Sequence, residues 1–195
     1  MQNEFIGKWE SPDKIIDIKN NNKSFICSLD RPNIGINFKK SLVVSEFDEN
    51  IQVGGVGIYS PIGDGSSYYA LWSSTKLSGL LGSGIVRKFD TSTGFIGEYS
   101  VTYYVGNNDG STFRVVIEYA ENRDIYKLSW YKEKQKVLHG IGFMIDDSLA
   151  FAWGSSNCKF DLDVFTLCDI GSAELKMQSL KWDDNSLYHC DFIKV

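Results

Sequence analysis

The segment 111–119, STFRVVIEY, alternates without a slip: Phe113, Val115, Ile117 and Tyr119 fall on one side, Arg114 and Glu118 on the other. Six residues later, 125–131 (IYKLSWY) does the same, with Tyr126, Leu128 and Trp130 opposite Lys127 and Ser129. A period of two is the mark of a strand with one buried face, and it excludes a helix at these positions. No segment of ten or more residues carries a convincing 3.6-residue period. The best candidate, SSTKLSGLLGSG (73–84), holds three glycines and reads as a loop with at most one helical turn.

Turns punctuate the alternation where it breaks. GNNDGS (106–111), ENRD (121–124), EKQ (133–135), NNNKS (20–24) and DRPN (30–33) supply residues that tolerate positive φ or bond their own backbone. HGIGFMIDDSLAFAWG (139–154) is two apolar runs around a polar break, and predicts a hairpin turning at Asp146–Ser148. Strands are expected near 97–105, 111–119, 125–131, 149–153, 160–168, 172–180 and 187–194, with one more between the EKQ and IDDS turns. The first half predicts strands near 5–10, 14–19, 23–29, 35–45, 50–59, 67–73 and 84–89. That spacing suits a small meander barrel or sandwich.

Composition agrees. Twelve Phe, 10 Tyr and 5 Trp with 18 Gly and only 3 Pro describe an all-β chain, and 43% apolar residues can bury a core. A net charge of −5 with no basic stripe argues against a nucleic-acid partner. No run of 18 apolar residues predicts a membrane span, and no signal peptide is visible, which sets the expectation of a cytoplasmic protein. Cys27, Cys158, Cys168 and Cys190 show no CxxC spacing and are expected to be free thiols.

The two halves echo each other. FIGKW (5–9) recurs as FIGEY (95–99), FDENIQVGG (47–55) as IDDSLAFAWG (145–154), GIYSPIGDGSSYYALW (57–72) as DVFTLCDIGSAELKMQ (163–178), and GIVRKF (84–89) as CDFIKV (190–195). The four matches keep one order, which points to a degenerate tandem duplication with units at 1–92 and 93–195. A short G-x-W/Y opening followed by alternating strands in meander order resembles the avidin- and lipocalin-like (calycin) barrels. GEYSVTYYVGNNDGSTFRVVIEY, YKLSWY and HGIGFMIDDSLAFAWG are also similar to repeats in uncharacterised bacterial proteins, some labelled fibronectin-binding. The resemblance implies an eight-stranded antiparallel barrel per unit and no catalytic residues. It also implies a basic residue late in each barrel stacked on the early aromatic: Arg87 for Trp9, and Lys194 for Tyr99. The fold expected is two tandem meander barrels, with one larger barrel or sandwich as the alternative.

Candidate chemistry is sparse. His139 shares parity with Val137, Ile141 and Phe143, so it faces apolar neighbours; it is expected to be a core histidine bonded to a backbone carbonyl, with a ligand role as the alternative. His189 and Cys190 are adjacent and must face opposite sides of a strand, so they cannot act as a thiol–imidazole pair. Asp146–Asp147 and Asp183–Asp184 sit in predicted turns and read as solvated caps. GSGIVRK (82–88) and GVGIYSPIGDG (55–65) do not open helices, so they read as strand kinks or close packing rather than phosphate loops. No metal or organic cofactor is expected from two histidines fifty residues apart and scattered cysteines. The aromatics Tyr99, Tyr103, Phe113, Tyr126, Trp130, Phe143 and Trp153 can all be placed on inward parity; they fill a barrel or line a cavity, with filling expected. The ligand-contact candidates are Tyr103, Phe113, Tyr126, Trp130, His139 and Trp153. The expected function is non-enzymatic binding, foremost as a protein-interaction module. A small apolar or aromatic ligand held in a barrel is the alternative, and an isomerase or lyase working at a barrel mouth is third.

Overall fold

The computed structural model describes residues 4–28, 31–49, 51–63, 66–90, 92–106, 110–155, 158–169 and 173–195. Among them are sixteen strands and no helix. They run β1 (Gly7–Glu10), β2 (Ile15–Asn21), β3 (Ser24–Cys27), β4 (Asn33–Phe38), β5 (Ser41–Phe47), β6 (Gly54–Ile62), β7 (Ser67–Ser74), β8 (Gly82–Lys88), β9 (Gly97–Tyr104), β10 (Ser111–Tyr119), β11 (Ile125–Lys132), β12 (Gln135–Ile145), β13 (Ser148–Ser155), β14 (Phe160–Leu167), β15 (Glu174–Leu180) and β16 (Leu187–Lys194). All strand pairs are antiparallel and they close two eight-stranded barrels.

The barrels do not divide the chain at 92/93. One, the continuous barrel, is β6–β13. The other, the split barrel, joins β1–β5 to β14–β16. Counted from FIGKW, the split barrel runs β1-β2-β3-β4-β5-β14-β15-β16; counted from FIGEY, the continuous barrel runs β9-β10-β11-β12-β13-β6-β7-β8. Each half thus supplies five strands to one barrel and its last three to the other. The two crossing segments lie side by side: Asp48 N–H donates to the Lys159 carbonyl (3.4 Å) and Ser155 N–H to the Val53 carbonyl (3.0 Å).

The turn chemistry accounts for most boundaries. Asp146 takes φ 52° in the β12–β13 hairpin, where Ile145 pairs with Ser148, as the polar break predicts. The expected single strand at 35–45 is in fact the β4–β5 hairpin, with Lys39 at φ 53°. Two lysines carry no turn signature, so this break is silent in the sequence. Residues 75–81 form the loop expected there, closed by Leu77 N–H to Ser74 O and Leu80 N–H to Leu77 O. The expected turns at 106–111 and 30–33 fall partly outside the described residues.

Alternation gives three apolar cores. Trp9, Ile16, Phe25, Leu42, Phe165 and Phe192 help fill the split barrel; Tyr59, Tyr68, Val86, Tyr99, Leu128 and Phe151 belong to the interior of the continuous one. The third core lies between the barrels, where Ile36, Val43, Phe47, Phe160, Leu162 and Val164 meet Val56, Ile58, Ile141, Phe143, Ala150 and Ala152. β5 and β13 are therefore buried on both faces, which is why their polar alternation is lost.

The two barrels close in the same way. Trp9 Nε1–H donates to the Phe5 carbonyl (2.8 Å), and Lys194 Nζ sits 5.0 Å from the centre of the Trp9 ring. Tyr99 O–H donates to the Phe95 carbonyl (2.8 Å), and Lys88 Nζ sits 5.6 Å from the Tyr99 ring. Gly7 (φ 127°) and Gly97 (φ 139°) make room for the lysine stems: a Cβ there would meet Lys194 Cε at 3.3 Å and Lys88 Cε at 2.7 Å. The basic partners are thus Lys194 for Trp9 and Lys88 for Tyr99. Arg87 is exposed, because it lies one residue out of phase on β8.

Candidate functional site

The continuous barrel is not filled at one end. A pocket of about 370 Å³ opens there, lined by Trp72, Tyr103, Val105, Ser111, Phe113, Trp130, Leu138, Phe151 and Trp153. Glycine pairs in neighbouring strands let the large rings lie close against the barrel wall. Gly55–Val56–Gly57, Gly140–Ile141–Gly142 and Gly82–Ser83–Gly84 each turn two glycines to the interior, with the intervening side chain outward. Phe151 lies between Gly57 and Gly142, and Trp153 between Gly55 and Gly140. Trp72 pairs with Gly57 and Gly82, and Tyr103 with Gly84. A Cβ on Gly57 would stand 2.4 Å from Phe151 Cζ, and one on Gly82 would stand 2.2 Å from Trp72 Cε2. The glycine-rich stretches are therefore close-packing sites, as expected, and their packing partners are the rings of the pocket wall.

The rings hold one another at angles. Trp72 meets Tyr103 edge-on at 5.6 Å between centres and Trp153 at 6.3 Å; Tyr103–Phe113 and Trp130–Phe151 are 6.0 and 5.7 Å apart. Such tilted contacts fix ring orientation beyond plain burial. At the base, Trp130 Nε1–H donates to Tyr103 Oη at 2.7 Å, and the hydroxyls of Tyr103 and fully buried Tyr59 are hydrogen-bonded. Burial pushes both phenols up from their ordinary range, so they stay protonated near neutrality and donate rather than abstract a proton. The lining carries no charged side chain.

Of the residues named from sequence, Tyr103, Phe113, Trp130 and Trp153 come together here. Tyr126 and His139 do not. Tyr126 is inward but four residues along β11 from Trp130, at the other end of the barrel against Phe95 and Tyr119. His139 does share the face of Ile141 and Phe143, but that face is the one between the barrels. Its ring stacks on Trp182 at 4.7 Å, and Nε2–H donates to the Cys158 carbonyl at 3.0 Å. Burial lowers its pKa and keeps it neutral. It is a core histidine bonded to a backbone carbonyl. Phe143, placed on inward parity from sequence, lies on the same inter-barrel face.

Trp72, Leu138 and Phe151 were not among the sequence candidates. Phe151 shares parity with Trp153 in SLAFAWG and is recoverable from alternation alone. Trp72 belongs to the first half of the chain, and nothing local says that β7 completes a barrel begun at β9.

The remaining candidates are structural. Asp147 pairs with Lys39 (2.7 Å) and Asp183 with Lys159 (2.7 Å), both at the surface. Asp184 accepts from Ser186 N–H (2.9 Å). His189 is exposed while Cys190 faces the other way. All four cysteines are free thiols, and burial raises Cys27 far above its usual range. No helix among the described residues is long and apolar enough to cross a membrane. No protein-family model, curated protein or solved structure matches the chain.

Proposed function

We propose that this chain binds a small apolar or aromatic molecule in the pocket of the continuous barrel. The observation that carries this reading is the 370 Å³ aromatic pocket, kept open by paired glycines where a barrel of this size is normally filled by its own side chains. The calycin resemblance and the duplication belong to the same reading; the matched Gly7/Gly97 and Lys194/Lys88 closures support both. FIGKW/FIGEY and GIVRKF/CDFIKV fall at equivalent places in the two barrels, and the match of 57–72 with 163–178 does so over β6 and β14 but slips by one residue at β7 and β15. The fourth match does not fall at equivalent places: IDDS is the β12–β13 turn, whose counterpart is FKKS at 38–41 rather than FDEN. Four free thiols support a reducing, cytoplasmic setting.

The test is a calorimetric titration with naphthalene, beside the variant Leu138→Trp, which puts an indole into the pocket. One-to-one saturable binding in the native protein, abolished in L138W with its circular dichroism unchanged, is the expected result. Absence of saturable binding, or equal binding in L138W, overturns the reading.

A protein-interaction role is the second reading. It rests on the outer face of the split barrel, where Ile15 and Ile193 flank Glu10 with 57% and 60% exposure. Ile15→Lys with Ile193→Lys removes that face. It is expected to leave naphthalene binding unchanged, and loss of binding would tie the two surfaces together.

A further inference from the structure

The hydrogen-bond inventory at the pocket base contains one proton too many. Trp130 Nε1–H, Tyr59 O–H and Tyr103 O–H are three donors, and the two phenol oxygens are the acceptors they share. Trp130 donates to Tyr103 at 2.7 Å, and one phenol donates to the other. The second phenol proton has no acceptor among the described residues. Were it the proton of Tyr59, which has no exposed surface, a buried donor would stand unsatisfied. The arrangement that avoids this has Tyr59 donating to Tyr103. Tyr103 then accepts twice, from Trp130 and Tyr59, and its own O–H turns to the pocket it lines. Accepting two hydrogen bonds polarises that O–H and makes it a stronger donor.

Building on the ligand-binding reading, we infer that the pocket takes a neutral, planar aromatic or heteroaromatic molecule with one hydrogen-bond acceptor, a carbonyl oxygen or ring nitrogen, placed on Tyr103 Oη–H. Neutrality follows from the wall. An anion would find no cationic side chain there and would be desolvated without a partner. A cation could sit on the ring faces, but the Tyr103 proton would point at it and no carboxylate would offset it. Planarity suits a wall built largely of rings, Trp72, Trp130 and Trp153 among them, because a flat aromatic guest can meet such rings edge-on or offset. The volume of about 370 Å³ holds up to roughly four or five fused rings at the packing density of organic matter, so a two-ring molecule enters with room to spare.

The experiment uses the full chain and two neutral probes of one shape, indane and 1-indanone, which differ by a carbonyl. Their dissociation constants are measured by equilibrium dialysis in the native protein and in Tyr103→Phe. The expected result is a ratio of indanone to indane affinity that falls about fivefold to tenfold in Y103F. An unchanged ratio overturns the acceptor inference while leaving the ligand-binding reading intact. Failure of both probes to bind the native protein overturns the two together. Tetramethylammonium binding tighter than either probe overturns neutrality. Should Y103F not fold, the carbonyl stretch of 1-indanone bound to the native protein decides: a single band below its cyclohexane position is expected, and a band at that position sinks the inference.

Discussion

The two barrels use one frame for opposite interiors. Their closed ends are alike: Trp9, Phe165, Leu175 and Phe192 in the split barrel stand where Tyr99, Tyr59, Tyr68 and Val86 stand in the continuous one. Their other ends diverge. Across β5 and β14, Leu42, Val44 and Glu46 face Phe165, Asp163 and Asp161; across β13 and β6, Leu149, Phe151 and Trp153 face Tyr59, Gly57 and Gly55. Ser179 pairs with Asp163 where Trp72 pairs with Gly57. One end is thus a carboxylate cluster held by Arg31 and Lys181, the other an aromatic pocket whose lining carries no charged side chain. A closed eight-stranded frame fixes which positions point inward, and the residues at one end are then free to diverge.

The largest expected effect would break both barrels at once. Phe143 is buried between them, and its truncation leaves a cavity that Val43, Phe160 and their neighbours cannot close without moving both walls. Phe143→Ala should cost about 3–5 kcal/mol. It should also leave a single unfolding transition, because β5 and β13 serve both an interior and the shared face. Urea unfolding followed by tryptophan emission and by far-UV circular dichroism checks this. Two separated transitions would mean that the barrels are independent units.

Gly35 and Gly142 sharpen the comparison, since they hold the same place in β4 and β12. A Cβ on Gly142 would lie 2.3 Å from the Ala150 carbonyl oxygen and 2.9 Å from Phe151 Cβ. On Gly35 the nearest atoms are Val44 Cγ2 at 3.1 Å and Leu42 Cδ1 at 3.2 Å, side-chain ends that can give. Gly142→Ala should cost about 3 kcal/mol, and Gly35→Ala about 1 kcal/mol. Only the first should weaken naphthalene binding. Equal costs would show that the glycines of the continuous barrel are not there to seat rings.

Alternation made the strands and their faces legible, and a polar break gave the 146–147 turn. Alternation did not give the partner of each strand. Joining β5 to β6 within one barrel, or passing β6 to the other barrel, asks the same of residues 41–62, because every inward position stays inward. Trp72 was missed for that reason. His139 was placed on the right face, and that face turned out to be shared between barrels rather than interior to one. The Lys39–Lys40 turn was missed because position alone, not residue type, puts Lys39 at positive φ.

The carboxylate end predicts a pH dependence that the aromatic end lacks. Burial and then the neighbouring Asp163 push Glu46 up to about 7 from its ordinary 4.5, against the pull of Lys14 and Lys181. Between those values the folded chain keeps a proton that the unfolded chain gives up. Stability therefore falls as pH rises through about 4.5 to 7, and flattens above it. The fall due to Glu46 should be of order 2–3 kcal/mol. Glu46→Gln should remove it from urea midpoints measured at pH 5 and pH 7.5. Naphthalene affinity in the other barrel should be flat over the same range. A wild-type slope retained in E46Q would assign the titration to another group.

The smallest effect separates the two closures. Lys88 and Lys194 both place an ammonium over the first-strand ring, yet their surroundings differ. The Lys88 side chain is fully covered, and Nζ donates to the carbonyls of Ser92 (3.1 Å) and Gly94 (3.0 Å). Lys194 is exposed and, among the described residues, donates to the Glu4 carbonyl (3.2 Å). Gly94 O also accepts from Tyr68 (2.9 Å) and Tyr99 (3.2 Å), so Lys88 is one member of a cluster that holds the start of β9. Replacing it with Met keeps the stem against Tyr99 but removes two hydrogen bonds, the 3.9 Å ion pair with Asp90 and the ring contact. Lys88→Met should cost about 1–1.5 kcal/mol. Lys194→Met loses one exposed hydrogen bond and a solvent-screened ring contact, and should cost about 0.5 kcal/mol or less. Denaturant midpoints of the two variants at equal m-value check the order. If Lys194→Met proves the costlier, ring type governs closure, Trp9 over Tyr99, and the carbonyl cluster at Gly94 contributes little.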